Sequence, residues 1–220
     1  MTAMRWMRAA LRRRRDDEGF TLPELLISMT IFAAFLAVIT ATVTTMMQDI
    51  RHTSTVNAAA AQNQRAFDVF DKEVRPASAV NYPGLGTNGL DWYIEFQSYD
   101  LKGNATCYQW RLVSATDQIQ QRSWTPIASG SPSLSAWTMV ANGVVNTTDP
   151  FKMDKLKNYQ QSDTVTLQLT NTQGIKPAAT AVTSTTVAAE NTNANTPSNT
   201  DNDSNGTSDF PICQIGVSRP

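Results

Sequence analysis

The feature that most constrains the fold is a run of 24 residues without a charged side chain, Leu25–Gln48. Its polar residues are mainly serine and threonine. As a helix that rises about 1.5 Å per residue, the run spans roughly 36 Å, whereas the hydrocarbon core of a bilayer is about 30 Å thick. The run therefore predicts a helix that crosses a membrane once.

Charge is distributed unevenly around this run. The first 19 residues contain six arginines, four of them consecutive at 12–15, against three acidic residues, for a charge of +3. The remainder contains 12 basic and 16 acidic side chains, for −4. A basic segment before an apolar run is typical of a cytoplasmic flank. We therefore expect the N-terminus on the cytoplasmic side of the cytoplasmic membrane and the part after the apolar run on its outer side. The acidic remainder contains no basic stripe, and no direct nucleic-acid partner is indicated.

The position of the candidate cleavage site distinguishes this segment from an ordinary secretory signal. Such a signal places its apolar region before a small-x-small cleavage site. Here the candidate site, Gly19–Phe20, precedes the apolar run, whereas the alanine-rich sites at 33–41 lie inside it. Cleavage after Gly19 removes the basic leader and keeps the whole helix.

The sequence GFTLPELL at residues 19–26 resembles the N-terminal signature of type IV prepilins and type II secretion pseudopilins. The resemblance covers residues 15–46. It implies that a prepilin peptidase cuts after Gly19 and methylates the new N-terminus at Phe20. It also implies that Glu24 is the glutamate that the family has at the fifth position of the mature chain. Pro23 stands where many members have isoleucine, but proline suits the first turn of a helix because its missing N–H loses no hydrogen bond.

The resemblance also implies a role for Glu24 in assembly. A carboxylate among leucines is costly in lipid unless it is paired, and cleavage creates an α-amine at Phe20 at a similar depth. In the related filaments, Glu24 of an incoming subunit would neutralise the Phe20 amine of a neighbour. The alternative is that Glu24 only lies at the headgroup level near a helix N-terminus, where a negative side chain is favourable.

Beyond the membrane run, the helical pattern continues to Arg75, where Pro76 predicts its end. The predicted helix therefore extends over residues 23–75. Apolar side chains recur at spacings of three and four with one asparagine among them, which predicts a face that packs on a head domain. They are Val56, Ala60, Asn63, Phe67, Phe70 and Val74. The stretch Gln64–Arg75 further resembles minor pilins of the W type and pseudopilins of the J type.

After Pro76 the apolar residues alternate with polar ones, which predicts half-buried antiparallel strands at 90–96, 108–112, 119–125, 165–169 and 182–188. The expected fold is α+β and pilin-like, with a long helix packed on an antiparallel sheet of four to six strands. The predicted segments are a leader at 1–19, a transmembrane half-helix at 20–48, an amphipathic half-helix at 49–76, a β-rich head at 77–189, a polar linker or loop at 190–209 and a C-terminal segment at 210–220.

Both cysteines, Cys107 and Cys213, follow the membrane run. Because an extracytoplasmic compartment is oxidising, a disulfide between them is one hypothesis and two free thiols are the other. In the chain-entropy model, closing a loop of this length contributes up to about 4.7 kcal/mol.

One spacing pattern suggests calcium. Oxygen-bearing residues alternate in the polar stretch 201–209, with a glycine at 206 where a calcium loop turns sharply. The candidate ligands are Asp201, Asp203, Asn205, Thr207 through its carbonyl, and Asp209. The usual glutamate at position 12 is replaced by Ile212, and the asparagine- and serine-rich composition is itself an alternative source of this spacing.

Catalysis is not indicated. The single histidine, His52, has no nucleophile motif near it. The favoured hypothesis is a structural subunit, a minor pilin or pseudopilin without a resident cofactor. Its implied partners are prepilin peptidase, other pilin or pseudopilin subunits and an assembly platform in the cytoplasmic membrane, and its implied destination is a pilus or pseudopilus at the cell surface. The alternative is a single-pass membrane protein with an extracytoplasmic binding or enzymatic domain that forms no filament.

Overall fold

The computed structural model describes residues 19–154, 162–173, 179–193, 195–203 and 205–220. The predicted leader, apart from Gly19, lies outside these residues. The chain divides into two compact units, residues 1–50 and 51–220. The longest element is helix α1, Leu22–Val74, which agrees with the predicted helix within one residue at each end.

The first sheet of the second unit has six antiparallel strands. They are β1 (Ala77–Val80), β2 (Gly84–Leu85), β3 (Trp92–Tyr99), β4 (Ala105–Val113), β5 (Gln118–Trp124) and β6 (Thr138–Asn142). Their order is β1-β3-β4-β5-β6, and β2 also pairs with β3. The tight β4–β5 turn is helped by Asp117, which has a positive φ of 54°, a conformation that aspartate tolerates.

A second antiparallel sheet has three strands, β7 (Phe151–Asp154), β8 (Asp163–Gln173) and β9 (Ala179–Ala189), in the order β7-β8-β9. The expectation of a single sheet of four to six strands is therefore wrong, since the described residues of the head form two sheets. The alternation of apolar and polar residues shows which face of a strand is buried, but it does not show which strands pair. The predicted α+β, pilin-like layout itself is confirmed.

Phe70 of α1 lies at the centre of the main core and contacts aromatic rings from both sheets. Its ring centroid is 5.0 Å from Trp110, 6.2 Å from Phe96 and 6.4 Å from Phe151. Edge-on arrangements such as the Phe70–Trp110 pair add to the hydrophobic gain of burial. The C-terminal half of α1 is therefore the element on which both sheets pack.

The buried face of α1 differs in part from the predicted stripe. It consists of Ala59, Asn63, Ala66, Phe70 and Val74. Ala60 of the predicted stripe is exposed and Val56 is only partly buried. The buried Asn63 donates its amide to Thr183 Oγ1 at 2.7 Å. Alanines occupy two of these five buried positions, which a pattern based on large side chains does not indicate.

Candidate functional site

The proposed cleavage site is open in the structure. Gly19 has no heavy atom within 4 Å of the position that a Cβ would take, and Phe20 is 79% exposed. The helix begins two residues later, where the backbone N–H groups of Glu24 and Leu25 both donate to the carbonyl of Thr21, at 3.0 and 3.1 Å. The described residues therefore leave Gly19 and Phe20 uncovered. Glu24 lies in the first turn, where the positive end of the helix dipole stabilises its negative charge.

The apolar half of α1 is uncovered within its unit. In the part that is long and apolar enough to cross a membrane no residue is buried, and the large side chains are exposed from Leu25 to Met47. Such a surface is unstable in water and favourable in lipid. The described chain has one helix with this property.

The hydroxyl groups within the run are satisfied inside the helix. Each donates a hydrogen bond to a backbone carbonyl three or four residues earlier, at 2.8–2.9 Å for Ser28, Thr30, Thr40, Thr42, Thr44 and Thr45. Since the bilayer core offers no water to polar groups, this internal bonding removes the cost that six hydroxyls would otherwise have. The sequence showed the serines and threonines but not these partners.

Residues 14–40 match the family model for the prokaryotic N-terminal methylation motif. The match includes Gly19, Phe20 and Glu24, and it supports a precursor of the type IV pilin or pseudopilin type. It covers about an eighth of the chain. No curated protein and no solved structure matches the chain significantly. The methylation motif and the exposed apolar helix together indicate membrane anchoring.

The two cysteines form a disulfide in the structure, between strand β4 and the C-terminal segment. The Cα atoms of Cys107 and Cys213 are 5.7 Å apart across a sequence separation of 106 residues. The bridge lies in a small apolar cluster with the buried Trp124 and Val217. It fixes the C-terminal segment to the face of the first sheet that is opposite the main core.

A buried ion pair holds the same segment, and sequence reasoning missed it. Glu95 on β3 is fully buried and accepts hydrogen bonds from Arg219 at 2.6 and 2.9 Å, from Gln109 at 2.9 Å and from Asn81 at 3.1 Å. Burial alone would raise the pKa of Glu95, but the charge and hydrogen bonds of Arg219, with those of the two amides, hold it below its ordinary value. The alternation of β3 placed Glu95 on the outward face, and only the docked C-terminal segment makes that position buried.

The candidate calcium residues lie together on the surface. One carboxylate oxygen each from Asp201, Asp203 and Asp209 lies within 4.8 Å of the other two. The loop is closed by the backbone N–H of Asn205, which donates to Asp201 at 2.9 Å, and by that of Asn202, which donates to Asp209 at 2.8 Å. Exposed acidic groups commonly cluster without a metal, so calcium with Asn205 and Thr207 as further ligands stays a prediction.

His52 is exposed on α1, four residues after the end of the apolar run. The nearest described titratable residues in sequence are Asp49 and Arg51, which are also exposed. Catalytic histidines are usually oriented in a partly buried site, whereas His52 is exposed among the described residues.

Proposed function

We propose that the chain is the precursor of a minor pilin or pseudopilin. Prepilin peptidase removes residues 1–19 and methylates the amine of Phe20. The mature protein then stays anchored in the cytoplasmic membrane until it is assembled into a filament. The observation that carries this proposal is the match of residues 14–40 to the methylation motif, which extends into a helix whose apolar side chains are exposed.

Orientation follows from charge. The arginines at 12–15 favour retention of the leader in the cytoplasm, so the head emerges on the outer side. An oxidising outer compartment is compatible with the Cys107–Cys213 bridge. The resemblance of Gln64–Arg75 to W-type and J-type subunits supports a minor subunit over the abundant one, and the other subunits and an assembly platform are its proposed partners.

The N-terminus of the mature protein tests this proposal. We expect intact-mass analysis and N-terminal sequencing of chain extracted from the membrane to show a start at Phe20 that carries one added methyl group. Gly19→Val should leave the leader attached, because a branched side chain replaces the small residue before the cut. The matched control Ala34→Val changes a small residue within the apolar run and should be processed normally.

An intact leader in the wild-type chain would contradict the proposal. So would cleavage after the apolar run, which would release the head. The first result would favour the alternative of a single-pass protein whose outer domain binds a ligand or acts as an enzyme without filament assembly.

A further inference from the structure

Two arginines on the outward face of the first sheet share one indole ring. The guanidinium carbons of Arg111 on β4 and Arg122 on β5 lie 3.9 and 4.3 Å from the centroid of Trp137, which directly precedes β6. The two carbons are therefore no more than about 8 Å apart, and guanidinium groups at this distance from an indole gain from its negative face. All three side chains are partly buried, so their positions are restricted.

Neutral amides hold both guanidinium groups. Gln120 accepts from Arg111 Nε at 3.1 Å and from Arg111 Nη2 at 2.7 Å, and Gln109 accepts from Arg122 Nε at 2.9 Å. The Gln109 amide is buried and is itself oriented by Glu95. Amide oxygens position the arginines without cancelling their charge.

The charge of this pair is not compensated within the described chain. Neither arginine forms an ion pair there, and the nearby carboxylate of Glu95 is already paired with Arg219. Burial and then the neighbouring charge of Arg111 lower the pKa of Arg122. Two like charges are kept close together, and among the described residues Arg111 Nη1 and both Nη groups of Arg122 have no hydrogen-bond acceptor, so they are arranged for an oxyanion.

We propose that Arg111, Trp137 and Arg122 form a docking site for a segment of a neighbouring subunit that carries two carboxylates. This inference rests on the proposed function for the identity of the partner. Because the two guanidinium groups are at most about 8 Å apart, both can reach carboxylates four residues apart on a helix, where the Cβ atoms are about 5–6 Å apart, or two residues apart on a strand, at about 6.6 Å. The indole ring keeps the two guanidinium groups together.

Charge on the rest of the head favours a peptide over a nucleic acid. A polyphosphate strand needs a basic stripe that follows its backbone, whereas the chain beyond residue 19 has an excess of four acidic residues. A segment with two carboxylates needs no positive charge beyond the two arginines.

The first test uses full-length chain in zwitterionic detergent micelles with fluorescein-labelled hexaglutamate as the probe. We expect binding that weakens with salt and that falls about tenfold or more in Arg111→Gln/Arg122→Gln. Arg111→Lys/Arg122→Lys should bind at an intermediate level, because lysine keeps the charge but loses the planar fork. The matched control Arg51→Gln/Arg65→Gln removes two exposed arginines from α1 and should bind like the wild type.

Equal binding by the glutamine variant and the wild type would overturn the proposal, provided that both melt at similar temperatures. Unlabelled hexaglutamate should displace the probe better than inorganic phosphate or a hexathymidylate. More effective displacement by either phosphate compound would also overturn it and would indicate a phosphate site instead.

The second test separates this inference from the proposed function. In cells, Arg111→Gln/Arg122→Gln should lose its leader normally but enter the sheared filament fraction less than the wild type. Normal incorporation would contradict the docking role alone. An unprocessed wild-type chain would contradict the proposed function, while the binding measured in micelles would still decide whether the site takes carboxylates.

Discussion

At the scale of one residue, packing within the head changes the pKa of Glu73. Its carboxyl lies between α1 and the first sheet, where Trp110 Nε1 donates to Oε2 at 2.7 Å. With its amide nitrogen turned toward the carboxylate, Gln121 donates to both oxygens at 2.6 and 2.9 Å. Burial outweighs these hydrogen bonds and raises the pKa of Glu73 from 4.5 to about 7. When Glu73 is protonated, the opposite orientation of Gln121 lets its amide oxygen accept a hydrogen bond from the carboxyl O–H.

The raised pKa predicts a loss of stability with rising pH. Because the folded-state pKa exceeds the unfolded value, the stabilising contribution is complete below pH 4.5 and disappears as the pH rises through about 7. Glu73→Gln keeps the shape and removes the charge. It should therefore be more stable than the wild type above pH 7, by up to about 3 kcal/mol, and similar to it near pH 4.5.

Thermal melting of the full-length chain in micelles, followed from pH 4.5 to 8.5, measures this difference. Asp68→Asn is the control, since it removes an exposed carboxylate from the same helix. If the wild type and Glu73→Gln differ by the same amount at every pH, the altered pKa of Glu73 is not the cause.

At the scale of elements, the C-terminal segment converts an exposed sheet face into a buried one. The disulfide fixes it at Cys213, and six residues later Arg219 pairs with the buried Glu95 and donates to the carbonyl of Tyr82 at 2.8 Å. The segment continues to Pro220, whose backbone oxygen accepts from Tyr93 Oη at 2.9 Å. Covalent and ionic contacts therefore act on the same short stretch.

Removal of Arg219 should be costly because it leaves Glu95 buried without a counter-charge. We expect Arg219→Gln to destabilise the head by about 3–5 kcal/mol and Glu95→Gln/Arg219→Gln to recover most of that loss. Chemical denaturation of the oxidised, full-length chain in micelles measures both. Arg65→Gln, an exposed arginine on α1, should have little effect. A double variant no more stable than Arg219→Gln would show that the unpaired charge is not the main cost.

The local sequence pattern predicted the positions of the helix and of these strands better than it predicted which strands and side chains pair. The alternation around Trp92 and Trp110 located β3 and β4, and the Arg75-Pro76 pair located the end of α1 within a residue. Pairing into two sheets and the Glu95–Arg219 contact, 124 residues apart in sequence, depend on long-range packing that no local period encodes.

The polar stretch after β9 illustrates a second limit. Its composition predicts little burial, yet Thr192, Thr196 and Ser198 are buried on the head. The hydroxyl of Thr192 donates to the carbonyl of Ala189 at 2.7 Å and accepts from the backbone N–H of Asp163 at 2.7 Å. Hydroxyl groups with backbone partners can be buried at little cost, and composition does not reveal such partners.

At the scale of the whole molecule, the chain has one unit suited to lipid and one suited to water. Residues 19–50 expose apolar side chains along a helix, whereas residues 51–220 contain both sheets and the aromatic core. In the proposed function the first unit is an anchor before assembly and part of the filament core afterwards. Glu24 is the charged residue that has to be accommodated in both states.

Loss of the Glu24 charge should therefore affect assembly and not processing. Glu24→Gln keeps the helix-compatible shape but cannot form an ion pair with the Phe20 amine of a neighbour. The loss of one charge-assisted contact in a site with little water predicts about 10- to 100-fold less protein in the filament fraction, with normal removal of residues 1–19. Quantitative immunoblotting of sheared filaments and of membranes, together with the N-terminal analysis, measures both steps.

Asp49→Asn is the matched control for this variant. It removes one carboxylate from the same helix at the opposite end of the apolar run, where water is available and no partner amine is expected. It should be processed and incorporated like the wild type. If Glu24→Gln and Asp49→Asn enter filaments equally well, Glu24 acts only as a favourable charge near a helix N-terminus, and the contact that orders neighbouring subunits lies elsewhere on the molecule.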